Sequence, residues 1–178
     1  MKRFLILGLI AWAFCVGGQA QGLVHFITLT KASGWIVAPV FDTDGQTYVA
    51  PGTVYGQLYA GAEPGSLTPV GSPVLCGPRP GYFDGGVVTI STIAPGAAAY
   101  VELRAWDSAS PSFESAVNGS FRWGQSRMFY LPFTGAGDPP SPAVELVGLY
   151  SFSLVPEPST FTLALIGFGA WGLLRRCR

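Results

Sequence analysis

Glycine and proline interrupt this sequence so often that they exclude long helices from most of it. The 178 residues include 24 glycines and 15 prolines, and both residue types destabilise a helix interior. Between residues 21 and 155, no window of about 12 residues keeps a helical apolar period without such a break. The same region is rich in the β-branched and aromatic residues that strands favour. The sequence therefore predicts an all-β fold.

Eight short segments have the composition of strands, and several of them alternate between polar and apolar residues. Within residues 98–106, for example, Glu102 and Arg104 alternate with apolar residues, so they are predicted to face away from the core. The predicted strands are 23–30, 35–41, 53–59, 67–74, 86–93, 98–106, 128–133 and 145–154.

Turn sequences separate these strands, as they do in small antiparallel proteins. Eight strands at this spacing predict an antiparallel β-sandwich of immunoglobulin-like or jelly-roll type over residues 21–154. The proline-rich segment 135–142 is predicted to be a rigid loop before the last strand. The predicted turns are Asp42-Thr43-Asp44-Gly45, Pro51-Gly52, Pro64-Gly65, Pro80-Gly81, Pro95-Gly96 and Asn118-Gly119.

The C-terminal segment differs from the β-rich region in every respect. It begins with Val155-Pro156-Glu157-Pro158-Ser159-Thr160, in which the prolines favour an extended, exposed backbone. Residues 161–174 then carry no charge, and a basic tail, residues 175–178, follows. The apolar run is shorter than the roughly 20 residues of a standard membrane span. Its glycines and the arginines beyond it nevertheless favour a membrane helix over a core helix.

This C-terminal segment, residues 155–178, resembles the PEP-CTERM sorting domain. Proteins with that domain are substrates of exosortases, the membrane-embedded cysteine proteases of bacteria that produce exopolysaccharide. The resemblance implies that an exosortase-like protease recognises Pro156, Glu157 and Pro158 and cleaves near them. Before cleavage, the transmembrane helix 161–174 would hold the chain in the membrane. The basic end of that anchor consists of Arg175, Arg176 and Arg178.

The N-terminal 20 residues have the three parts of a secretory signal peptide. Lys2 and Arg3 form a positive region, residues 4–16 form an apolar region, and small residues precede Ala20. We predict that signal peptidase cleaves after Ala20 and that the chain is exported across the inner membrane. Its predicted destination is the cell surface or the extracellular space.

The remaining region, residues 21–155, is mildly acidic although the whole chain is neutral. It contains five basic and nine acidic residues, a net charge of −4. This balance argues against nucleic-acid binding, which requires a basic surface. Cys76 is the one cysteine in this region, and we predict a small buried side chain without a disulfide.

Three features of the sequence contain residue types that are common in catalytic or metal-binding sites. None of them predicts a catalytic residue, a metal site or a cofactor. His25 is the single histidine and lacks a nucleophile motif or a second ligand at metal-binding spacing. The Asp42–Gly45 segment lacks the further oxygen ligands of a calcium loop, so a turn explains it better. A weak calcium site stays open as the alternative, with Asp84 and Asp107 as further ligands from other loops. Pairs of carboxylates are expected by chance among nine acids.

Trp123 is the one aromatic residue whose sequence neighbours favour binding. It lies between Arg122 and Gln125, next to Gly124, so the sequence predicts an exposed indole suited to stacking on a sugar ring.

The predicted function is that of an exported structural protein of the cell surface or matrix, without catalysis of its own. The alternative is a carbohydrate-binding module for exopolysaccharide, and a glycan-active enzyme is the third hypothesis.

The β-rich region also resembles short secreted proteins that carry the same sorting tail in Verrucomicrobia. The stretches that carry this resemblance are Ala38-Pro39-Val40-Phe41-Asp42-Thr43-Asp44-Gly45, Gln57-Leu58-Tyr59-Ala60-Gly61 and Gly81-Tyr82-Phe83-Asp84-Gly85-Gly86.

Overall fold

Short strands dominate the structure, a computed structural model that describes residues 21–31, 35–135 and 139–155. The all-β prediction is confirmed: within these residues there are twelve strands and one helix of a turn and a half. The elements are β1 (Gly22–Ile27), β2 (Leu29–Thr30), β3 (Ile36–Val37), β4 (Val40–Phe41), β5 (Val54–Gly61), β6 (Thr68–Leu75), β7 (Asp84–Ile90), β8 (Ala99–Asp107), α1 (Phe113–Asn118), β9 (Trp123–Gln125), β10 (Phe129–Leu131), β11 (Val144–Glu145) and β12 (Phe152–Ser153).

Two sheets contain most of the strands. The larger has the order β10-β8-β5-β6, and β9 pairs with the same edge of β8 as β10. The smaller has the order β11-β1-β7, and two further pairs, β12-β4 and β2-β3, lie outside both sheets. The long antiparallel ladder between β5 and β8, from Val54 opposite Asp107 to Gly61 opposite Tyr100, forms the centre of the larger sheet.

One hydrophobic core lies beneath both sheets. Val24 and Phe26 of β1 alternate with less buried neighbours and point into it, as strand geometry requires. Leu58 of β5 and Leu103 of β8 belong to the same cluster, together with Leu146 from the segment after β11. Burying side chains of this size contributes roughly 1.5–3 kcal/mol each, so this shared core is the main source of stability.

Two ladders are parallel, which corrects the purely antiparallel prediction. β11 runs parallel to β1, with Val144 opposite Val24, and β12 runs parallel to β4, with Phe152 opposite Val40. Parallel neighbours need long connections, and more than 100 residues separate the two members of each pair. Residues 144–145 and 152–153 therefore pair with strands that precede them by more than 100 residues.

The predicted strand 145–154 is wrong as a single element. The structure divides it into β11 and β12, with a bend at Gly148, whose φ is +106°. Leu146 and Leu149 are both buried in the bend, so a three-residue spacing replaces the two-residue period of a strand. In a single strand over 145–154, Tyr150 would alternate with Ser151 and face the core, but it is exposed.

Helix α1 was not predicted, and it covers the outer face of β8. Ser112 is its N-cap, with Oγ accepting a hydrogen bond from the backbone N–H of Ser115 at 3.1 Å. Glu102 and Arg104 lie on the side of β8 opposite the core residues Val101 and Leu103, as predicted. Because α1 packs on that side, Glu102 is buried and Arg104 is half-buried. Asn118, predicted to start a hairpin turn, instead ends this helix.

Three of the predicted proline-glycine turns are confirmed by the backbone conformation of their glycine. Gly52, Gly81 and Gly96 have φ values of +74°, +80° and +71°. This is the left-handed conformation that the third position of a type II turn requires, after proline at the second position.

Candidate functional site

The sorting motif follows directly after a strand that is hydrogen-bonded into the fold. The backbone N–H of Leu154 donates to the carbonyl oxygen of Phe41 at 3.0 Å, and that of Val155 donates to Trp123 at 2.6 Å. Leu154 is also part of the core. The folded region is therefore fixed up to the last residue before Pro156.

The recognition residues themselves lie outside the described residues. This applies to Pro156, Glu157 and Pro158, to the predicted helix 161–174 and to the arginines at 175, 176 and 178. It also applies to Ala20, the predicted signal peptidase site. Among the residues that the structure describes, no helix is long and apolar enough to cross a membrane.

Trp123 does not lie in the exposed setting that its neighbours in sequence indicated. The ring is half-buried and meets Phe113 of α1 edge-on, with 5.7 Å between ring centroids and 88° between planes. Its backbone pairs with Trp106 of β8. The expected exposure is wrong because α1 covers the ring; a glycan contact by Trp123 is not tested by this packing and stays a prediction.

Arg122 pairs with two of the carboxylates that the sequence left open as ligands of a calcium site. Its guanidinium binds the carboxylate of Asp42 at 2.9 Å and that of Asp107 at 2.8 Å. Burial opposes the charge of Arg122, but these hydrogen bonds outweigh it and raise its pKa. The arginine thus supplies the positive charge between the two loops, and the described residues contain no group of three or more metal-ligating side chains.

The predicted turn at Asp42–Gly45 is confirmed. Asp44 accepts hydrogen bonds from the backbone N–H groups of Gln46 and Thr47 and from the Thr47 hydroxyl. These bonds, led by the one from the hydroxyl, lower the pKa of the Asp44 carboxyl. Asp84, which the sequence allowed as a further calcium ligand, accepts a hydrogen bond from the backbone N–H of Gly86.

An arginine-centred cluster on the outer face of β8 was missed by sequence reasoning. Arg104 pairs with Glu102 at 2.7 Å, and its guanidinium lies 3.9 Å from the ring centroid of Tyr59 and 5.0 Å from that of Phe113. Burial, with a hydrogen bond from the phenol to Glu114 at 3.0 Å, raises the pKa of Tyr59 to about 12. The cap residue Ser112 was the available signal for the helix that completes this cluster.

Cys76 is buried and unpaired, as predicted. Its thiol lies 3.8 Å from the carbonyl oxygen of Val49, and burial raises its pKa. His25 lies on β1, on the side that alternates away from the core, opposite Val87 of β7 and Glu145 of β11.

Comparison with known proteins gives a match for the C-terminal segment of the chain. No curated protein and no solved structure gave a significant match. Residues 154–178 match the family model described as the PEP-CTERM protein-sorting motif. The match covers the predicted motif, apolar run and basic tail and extends to Leu154, the last core residue. The chain therefore carries a PEP-CTERM sorting motif at its C-terminal end.

Proposed function

We propose that this chain is an exported surface protein that an exosortase-like protease processes at residues 156–158. The observation that supports this most is the sorting motif at 154–178, whose first two residues, Leu154 and Val155, are still hydrogen-bonded to the folded domain. In this proposal, signal peptidase removes residues 1–20 and the apolar run holds the protein in the membrane until cleavage. The product then reaches the cell surface or the extracellular space.

The β-rich region serves a structural role in this proposal and has no catalysis of its own. Several of its carboxylates are held in contacts that stabilise the fold: Glu102 with Arg104, Asp107 with Arg122, and Glu114 with Tyr59. Two sheets that share one core support the predicted β-sandwich, whose immunoglobulin-like or jelly-roll type stays a prediction.

The processing step can be tested by mass spectrometry of the protein exported from a host that makes an exosortase-like protease. We expect a chain that begins at Gln21 and ends near residues 156–158. In the Glu157→Ala variant we expect Arg178 to be retained, whereas Ser159→Ala, beside the predicted recognition residues, should be processed as the parent is. An exported parent protein that still carries Arg178 would overturn the proposal.

A further inference from the structure

Glu145 carries a carboxylate oxygen that lacks the hydrogen bond its burial requires. Oε1 accepts from the hydroxyl of Thr30 at 3.2 Å, but Oε2 is buried and has no hydrogen-bond partner. It is the one buried side-chain oxygen or nitrogen in this condition within the described part of the chain. A buried acceptor without a donor is costly, and a carboxylate can only accept. Oε2 is shielded from solvent in this conformation, so the side chain would have to turn towards a neighbouring ligand to gain a donor from outside the protein.

Glu145 is one of the residues that line an open cleft of about 500 Å³. Glu145 and His25 are partners in the parallel ladder of β11 and β1, so their side chains lie on the same side of the sheet. Phe133, with 54% of its surface exposed, and Val147 line the same cleft. Two backbone hydrogen bonds between Leu23 and Gly135 join the segments that carry His25 and Phe133. The cleft thus combines polar groups with an exposed apolar wall.

A second cleft of about 290 Å³ shares Val147 with the first and displays two aromatic rings. Trp35 and Tyr150 line it, and each is 67% exposed. Trp35 also has a φ of +56°, the one positive φ outside glycine in the described residues. A bulky residue in this conformation is strained, and such strain clusters at ligand-binding positions. Exposed aromatic surface of this kind marks binding grooves.

The charges around the two clefts define the ligand class. The carboxylate of Glu145 and the net acidity of the domain disfavour an anion. Lys31, whose ammonium lies 5.1 Å from the ring centroid of Trp35, disfavours a cation at the aromatic end. A purely apolar ligand would leave Oε2 of Glu145 without a donor. A neutral molecule with many hydroxyl groups and apolar ring faces meets all three conditions.

We propose that the two clefts form one binding site for a neutral oligosaccharide. Sugar hydroxyls donate to Glu145, and the apolar faces of the sugar rings pack on Trp35, Tyr150 and Phe133. The site is separate from Trp123 and does not depend on processing of the C-terminal signal, so either proposal can fail without the other.

Isothermal titration of the exported chain with cellohexaose, xylohexaose and mannohexaose tests the proposal, with an oligogalacturonate as the anionic comparison. We expect binding to at least one neutral hexasaccharide. Tyr150→Ala and Glu145→Gln should each weaken that binding about tenfold or more, since each removes a contact or a charged acceptor. Two control variants should leave it unchanged: Tyr130→Ala, which truncates an exposed ring (53%) outside both clefts, and Glu63→Gln.

Three results would overturn the proposal: binding of none of the neutral sugars, binding of the oligogalacturonate alone, or equal losses in the control variants. Thermal unfolding of each variant separates loss of binding from loss of fold. Tyr150→Ala alters an exposed side chain, so it remains a valid test if Glu145→Gln does not fold.

Discussion

Arg122 links two parts of the chain that are far apart in sequence. It binds Asp42, just after β4, and Asp107, at the end of β8. Arg122→Met would keep most of the side-chain volume but leave two carboxylates close together without a cation. We expect a loss of about 1–2 kcal/mol in the free energy of unfolding, measured by urea denaturation. Arg127→Met, at an exposed arginine, should change stability by less than about 0.5 kcal/mol; equal effects of the two would contradict the assignment.

The same ion pair predicts how stability changes in acid. Burial opposes the charged form of Asp107, but hydrogen bonds from Ala109 and Arg122 outweigh it and lower its pKa below the ordinary 3.8. The folded pKa is the lower one, so the stabilisation is present above about pH 4 and is lost as the pH falls through the folded pKa. The stability difference between the parent and Arg122→Met should therefore shrink between pH 6 and about pH 2. A constant difference would argue against this pairing.

Cys76 should report on unfolding because its thiol is inaccessible in the folded state. Only 3% of its surface is exposed, and its pKa is raised by burial, so little reactive thiolate is present. In a Cys15→Ser, Cys177→Ser background, we expect a disulfide reagent to label Cys76 about 100-fold more slowly in buffer than in denaturant. Rapid labelling in buffer would show that the segment around Cys76 opens without global unfolding.

At the scale of the elements, Gly124 allows the last strand to pack closely against β9. A Cβ there would lie 2.8 Å from the carbonyl oxygen of Ser153 and 3.2 Å from Cα of Leu154. Gly124→Ala should therefore displace β12, cost about 1–3 kcal/mol, and speed hydrogen exchange at the Val155 amide. Gly65→Ala, where a Cβ meets nothing within 4 Å, is the matched control. Unchanged exchange at Val155 in Gly124→Ala would contradict this packing.

The strands could be predicted from sequence where one face is apolar and local turns bound them. β5 and β8 are such cases, since the sequence predicted strands at 53–59 and 98–106, but it did not predict that these two strands pair. Helix α1 could not be found by periodicity, since six residues are too few to establish a helical period. The return of β11 to β1 depends on contacts more than 100 residues apart, which no local pattern encodes.

The candidate sites show the same division between local and long-range information. The sorting signal is a local motif, so the sequence alone identified it and its match at residues 154–178 confirms it. The clefts at Glu145 and Trp35 arise where β11 meets β1 and where the bend at Gly148 brings Tyr150 beside Trp35. Neither juxtaposition is visible along the chain. The exposure of Trp123 was predicted wrongly because it depends on α1, which the sequence did not reveal.

At the scale of the whole molecule, no flexible linker separates the folded region from the recognition residues 156–158. Val155 is still hydrogen-bonded to Trp123, and the recognition residues begin at the next position. Proteases act on exposed, extended segments. A protease that binds residues before its scissile bond would therefore have to break the hydrogen bonds that hold Leu154 and Val155 in the fold. We therefore expect the mature protein to keep Val155, with cleavage after Pro156 or beyond.

A spacer separates this steric effect from recognition. Six glycine and serine residues inserted between Val155 and Pro156 should move the motif roughly 13 Å away from the folded domain on average. We expect pulse-chase labelling to show faster removal of the C-terminal segment than in the parent, because the protease no longer meets β12 and β9. The same six residues inserted after Pro64, in an exposed turn, should not alter the rate. Equal or slower processing of the first insertion would show that the folded domain does not restrict the protease, and that recognition depends on the motif and the predicted membrane helix alone.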